Sequence, residues 1–190
     1  MEQLQSHLDV VEGLDISSDL LAVAQKRLPG VPLHRADMVD FALGRRFDMI
    51  ICMFSAISYV ETQERMRAAV ANMAAHLRPG GLLIVEPWFS PEKYWINTIT
   101  ANHFDSPELK ISWMYTSRRE KQVAILDIHY LVGTSECIEY FSEQHRMGLF
   151  TNDEYVKAFR SAGLEVTYDP EGPRKRGLFV ARLPDRPKIS

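Results

Sequence analysis

Asp15 and Asp37 stand about twenty residues apart, each directly after a short apolar run: Val10 to Leu14 before the first, Val31 to Ala36 before the second. A carboxylate at the carboxyl end of a strand commonly accepts hydrogen bonds from the two hydroxyls of a ribose, and one at the next strand end can accept an adenine amino group. Singly, Asp15 is as well explained as a helix N-terminal charge and Asp37 as the start of a turn. The pair points to a nucleoside-bearing ligand. Glu86 ends a further apolar run, Leu82-Leu83-Ile84-Val85, and so adds a carboxylate on the side where open α/β sheets bind ligands. Trp88, Phe89, Tyr94 and Trp95 follow it and could wall a sugar or an aromatic substrate, although aromatics after a core strand are most often core. His129 and His145 fall on predicted neighbouring strands and could face the same pocket. With no third ligand at readable spacing, no metal is expected.

The elements that must position these residues follow from periodicity and punctuation. Leu77-Arg78-Pro79-Gly80-Gly81 reads as the end of a helix and a turn, feeding the run from Leu82 to Val85, expected to be buried on both faces of a parallel sheet. Val10 to Asp15, Val31 to Ala36 and Phe47 to Phe54 read as earlier strands. A helix between the first two is capped by Ser17 or Ser18 and stopped by Pro29-Gly30. Met66, Ala69, Val70, Met73 and Leu77 mark an amphipathic helix from Glu61 to Arg78. Phe89 to Leu109 has no clean period and reads as a loop or lid. Three strand-like stretches follow: Ile111 to Ser117, Val123 to Val132 and Ile138 to Leu149. Thr151-Asn152-Asp153-Glu154 has capping-box spacing, and Glu165 to Tyr168 with Leu178 to Leu183 form an antiparallel terminal pair. The expected organisation is one domain, with 1–88 and 150–183 as an α/β core, about 110–149 as an antiparallel insertion, and 184–190 as a tail.

Composition excludes several classes. A net charge of −3 over 190 residues and a pI near 6.1 argue against a phosphate-backbone binder, so no nucleic-acid partner is expected. No apolar run approaches the roughly 18 residues needed to cross a bilayer, and residues 1–9 do not read as a signal peptide, so no membrane partner is expected. Cys52 and Cys137 form no disulfide framework, which fits a reduced, cytoplasmic protein.

The order Gly13-Leu14-Asp15-Ile16-Ser17, Ala36-Asp37-Met38, Phe47-Asp48 into a buried strand, then Leu77-Arg78-Pro79-Gly80-Gly81, resembles the class I S-adenosylmethionine-dependent methyltransferases. More narrowly, Cys52-Met53-Phe54-Ser55, Val85-Glu86-Pro87-Trp88, Ile128-His129-Tyr130, Leu149-Phe150-Thr151 and Arg176-Gly177-Leu178-Phe179 are similar to the N,N-dimethyltransferases of nucleotide-linked amino-deoxysugars. The resemblance implies a Rossmann-like, mostly parallel sheet with an antiparallel terminal pair and an inserted antiparallel sheet. It implies S-adenosylmethionine as cofactor, with Asp15 and Ile16 at the ribose end, Asp37 and Met38 bordering the adenine, and Met53 beside the methionine moiety. It further implies a small-molecule amine as substrate, met by Trp88, His145 and Arg176, the last gripping phosphate in a fork. Glu86, Tyr59 and His129 are the candidates for binding the amine and handling its proton, and a homodimer is an allowed assembly.

Two departures stand out. The sugar methyltransferases often carry a histidine in the loop after the Cys-Met-Phe-Ser strand, where this chain has Ser58-Tyr59, so a base assigned to that histidine does not carry over. The chain also contains no Gly-x-Gly, the glycine-rich loop that wraps the cofactor's amino-acid end. The expectation is therefore an N-terminally truncated sheet lacking its first strand; the alternative is that Met1 to Leu8 and a rearrangement cover the gap. The rival readings are a catalytically inactive remnant acting as a binding or dimerisation module, and an NAD-dependent oxidoreductase.

Overall fold

The computed structural model describes Leu4 and residues 7–185. Two parallel units come first. In one, β1 (Gly13–Asp15) pairs with β2 (Leu33–Arg35), joined by α1 (Ser18–Arg27). In the other, β3 (Phe47–Cys52) pairs with β4 (Leu77–Val85), joined by a 3-10 turn (Ala56–Val60) and α2 (Gln63–Ala75). Parallel pairing requires a crossover of this length, and both helices supply one. Ser17 caps α1 by accepting from Leu20 N–H, and Thr62 caps α2 by accepting from Arg65 N–H.

The second unit grows at β4's other edge. There β10 (Leu178–Arg182) runs antiparallel to β4, and β9 (Glu165–Asp169) antiparallel to β10, giving the order β3-β4-β10-β9. In the chain, between β4 and β9, a separate antiparallel sheet is inserted in the order β5-β6-β7-β8: Ile99–Asp105, Lys110–Glu120, Val123–Gly133 and Ile138–Gly148. The expected lid from Phe89 to Leu109 is thus one-third strand. β5 pairs in full register with β6, and pairing rather than an internal period makes it a strand.

The main core lies where α2 and α3 (Asn152–Ser161) cover the four-stranded sheet. Met66, Ala69 and Val70 of α2, Phe159 of α3, Leu77, Leu83 and Val85 of β4, and Phe179 of β10 are fully enclosed. The capping box of α3 is formed, with Thr151 and Glu154 exchanging hydrogen bonds.

Two local expectations change. Pro79-Gly80-Gly81 is not a turn ahead of β4 but a bulge within it: the register runs from Phe47↔Leu77 to Met49↔Leu82. Gly80 sits at φ +80°, its N–H bonded to Leu183 O, and α2 already ends at Ala75 with His76 as its C-cap. Nor are the strands evenly enclosed. Leu82 and Ile84 of β4 are half-buried, and Met49 and Ile51 of β3 stay more than two-fifths exposed, because no described strand lies between β1 and β3. Of the expected tail, residues 186–190 lie outside the described residues.

Candidate active site

Most of the candidate residues lie at or just past the carboxyl ends of β1, β2, β3 and β4, and the two histidines lie on β7 and β8. Leaving β3, Phe54 and Ser55 both adopt left-handed backbone, φ +58° and +62°, a conformation that costs a non-glycine residue on the order of 1 kcal/mol. The strain is held from β4's end. Phe54 N–H donates to Glu86 Oε2 at 2.8 Å, and Ser55 Oγ donates to Pro87 O at 2.8 Å.

Glu86 is wholly enclosed, yet it is a charge with company. Arg174 Nη1 donates to Oε2 and Arg176 Nη2 to Oε1, each at 3.3 Å. The two guanidiniums also lie over aromatic rings, Arg174 4.0 Å from the Phe54 centroid and Arg176 5.1 Å from that of Trp88. Burial and the neighbouring Arg174 push the Arg176 guanidinium below its ordinary range, while Glu86 opposes them. Gly177, at φ +92°, permits this arrangement, since a Cβ there would lie 2.3 Å from the Tyr168 hydroxyl. Arg174 and Phe54 escaped sequence reasoning. The sequence carries Arg174-Lys175-Arg176 as a basic triplet, but only the fold says that two of its members turn onto one buried carboxylate.

Glu86 therefore anchors two cations rather than standing free for an amine. The Arg176 side chain is only 15% exposed. Trp88 packs edge-on against Phe89 at 4.8 Å. Phe89, Trp95 and Tyr94 continue a small second core beneath the antiparallel sheet. The Trp88 indole Nε1 is buried without a partner among the described residues.

Asp15 is the last residue of β1 and Asp37 lies two residues past the end of β2, both half-buried. Asp15 Oδ1 accepts from Ser17 N–H at 2.8 Å, and Oδ2 has no hydrogen bond among the described residues. Asp37 accepts from Val39 N–H and from Arg65 Nη2, at 3.0 and 2.6 Å. Each carboxylate thus begins a turn and keeps acceptor capacity, so the two readings of these residues are compatible. Ile16 is exposed beside Asp15, Met38 packs on the main core, and Met53 is half-buried before Phe54.

The two histidines part company. His145 pairs with Leu126 across the sheet and His129 with Ser142, which puts them on opposite faces. His129 Nδ1 meets the Tyr140 hydroxyl at 2.6 Å on the face away from the second core. His145 Nδ1 meets the Tyr59 hydroxyl, also at 2.6 Å, on the inner face. Among the described residues no group of three or more metal-ligating side chains assembles.

Residues 1–81 match the family model described as a methyltransferase domain. The dTDP-3-amino-3,6-dideoxy-alpha-D-glucopyranose N,N-dimethyltransferase of Streptomyces fradiae is 40% identical over 95% of this chain and 71% of its own length. The dTDP-3-amino-3,4,6-trideoxy-alpha-D-glucopyranose N,N-dimethyltransferase of Streptomyces venezuelae is 39% identical over 95% and 76%. Among solved structures, DesVI of Streptomyces venezuelae superimposes with a TM-score of 0.92 at 38% identity, covering 96% of this chain and 78% of that one. CalS10 of Micromonospora echinaspora, an amino pentose methyltransferase solved with S-adenosylmethionine bound, gives 0.88 at 38% identity, covering 96% and 77%.

Proposed function

Because the chain belongs to the S-adenosylmethionine-dependent methyltransferases that include the nucleotide-linked amino-sugar N,N-dimethyltransferases, we propose that it methylates the amino group of a nucleotide-linked amino-deoxysugar. The observation that carries this reading is identity near 40% sustained over 95% of the chain, which includes the Arg174–Arg176 segment that supplies the cleft with cations.

The cofactor's chemistry is an electrophilic sulfonium methyl. The residues present fit its nucleoside end: Asp15 keeps a carboxylate oxygen without a partner at a strand end, beside exposed Ile16. In this reading Asp15 and Ile16 hold the ribose side, Asp37 and Met38 border the adenine, and Met53 lies by the methionine chain. The protein's own work is to bind and orient the acceptor and exclude water. Arg176, with Arg174 beside it, grips the substrate phosphates while Glu86 fixes both guanidiniums. Trp88 forms an apolar wall for the sugar.

A cytoplasmic setting belongs to the same proposal and is supported by two free cysteines. No helix among the described residues is long and apolar enough to cross a membrane. A homodimer is supported by the outer face of the antiparallel sheet, which exposes Ile99, Met114, Leu131, Ile138 and Tyr140.

The test is direct. S-adenosylhomocysteine and NAD are titrated separately by calorimetry, and methyl transfer is assayed to a dTDP-linked amino-deoxysugar against simple amines. Heat with S-adenosylhomocysteine and transfer to the sugar nucleotide are expected. Heat with NAD alone, or transfer to simple amines alone, would refute the reading.

A further inference from the structure

The 3-10 turn after β3 places Tyr59 half-exposed at the carboxyl end of the sheet, just beyond the strained Phe54-Ser55 step. β8 comes to it from the side. Tyr59 Oη lies 2.6 Å from His145 Nδ1, and His145 Nε2 lies 3.3 Å from Glu143 Oε2. Glu143 and His145 are two residues apart on one strand, so their side chains share the inner face with Leu126 and Ile128.

This chain has a direction. An ionised Glu143 can only accept, so His145 carries its proton on Nε2; in the neutral ring Nδ1 is then the acceptor, and the Tyr59 hydroxyl donates to it. The lone pairs of the Tyr59 oxygen are left for a donor from the cleft. Burial and the nearby Glu143 and Tyr130 raise the tyrosine's proton affinity, which keeps it a phenol rather than a phenolate. The next charged groups, Glu61 and Arg146, are paired with each other at 3.1 Å and do not join the chain.

We propose that Tyr59, His145 and Glu143 form a proton relay in which Tyr59 receives the acceptor amine and His145 takes its proton; the inference rests on the amino-sugar reading above. An amine arriving as an ammonium has no lone pair for attack. One of its N–H bonds breaks as a new O–H bond forms on Tyr59, the original O–H bond breaks, and an N–H bond forms on His145 Nδ1. Tyr59 ends neutral, the nitrogen regains its electron pair, and the positive charge rests on His145 against Glu143. Tyr59 is thereby the catalytic residue, and Glu143 a positioning residue that fixes the tautomer.

The experiment compares the wild-type chain with Tyr59→Phe, His145→Gln and Glu143→Gln. Transfer to a dTDP-linked amino-deoxysugar is followed from about pH 7 to about two units higher, and S-adenosylhomocysteine affinity is measured on each. Tyr59→Phe and His145→Gln are expected to lose kcat by about tenfold or more at the lower pH and to recover most of it at the higher, where the amine arrives unprotonated. Cofactor affinity is expected to stay level. On the ligand-free protein, nitrogen NMR of His145 is expected to show the Nε2-protonated tautomer, with the Nδ1 resonance shifting in Tyr59→Phe. A deficit equal at every pH, a kcat within about twofold of wild type, or an unmoved Nδ1 resonance would overturn the relay alone. A wild-type chain that methylates no amino-sugar would overturn the parent reading and the relay with it.

Discussion

Glu86 is the residue on which the cleft's charge balance turns. A buried carboxylate is tolerable only when hydrogen-bonded and paired, and this one accepts from a backbone N–H and two guanidiniums. Glu86→Gln leaves two cations crowded on a neutral amide and weakens the grip on Phe54. Chemical denaturation should register a loss of about 3 kcal/mol, and the KM for a sugar nucleotide should rise. Arg176→Ala should raise that KM by about tenfold or more while S-adenosylhomocysteine affinity holds; an unchanged KM would remove the phosphate role. Cys52 shows the opposite case, a titratable group with no work to do. Burial pushes its thiol up to about 12 from 9.0. Its folded state holds the proton more tightly than its unfolded state. Cys52 therefore lowers stability as pH rises from about 9 toward 12, by at most ~1.4 kcal/mol per pH unit. Cys52→Ala should flatten that alkaline limb of a stability profile, and thiol reagents at neutral pH should modify exposed Cys137 first.

At the scale of elements, capping and glycine geometry are where single changes tell. Thr151→Ala removes the side-chain half of the α3 capping box, the Oγ1 that accepts from Glu154 N–H, and should cost ~1 kcal/mol by denaturant titration. Gly81→Ala should cost more. Its Cβ would meet the backbone oxygens of Arg78 at 2.8 Å and Asp48 at 3.1 Å, which cannot swing aside. Much of this level was legible beforehand: Thr151-Asn152-Asp153-Glu154 announced the box, and the strand-like stretch from Val123 to Val132 announced β7. The fate of Pro79-Gly80-Gly81 was not. A bulge and a turn call for the same residues, and only pairing with Leu183 and β3 decides between them. β5 was hidden for a similar reason, because Ile99–Asp105 has no buried face of its own to impose a period.

For the whole molecule, cohesion is uneven. α1 buries no residue and leaves Leu20 and Val23 more than half exposed, while α2 encloses five. Native-state hydrogen exchange should therefore open Ser18–Arg27 well before Gln63–Ala75 and β4; uniform protection across both helices would contradict this account. The sequence by itself determined the α/β class, the strand-end carboxylates Asp15, Asp37 and Glu86, the α3 cap and the family, since these depend on local period, punctuation and motif. Tertiary structure alone decided which polar groups meet. Glu86 lies 88 residues before Arg174 in the chain, and Tyr59 lies 86 before His145. One-residue parity on β7 and β8 sends His129 and His145 to opposite faces. Partnership across such spans is set by strand register and bulges, and neither composition nor spacing carries that information.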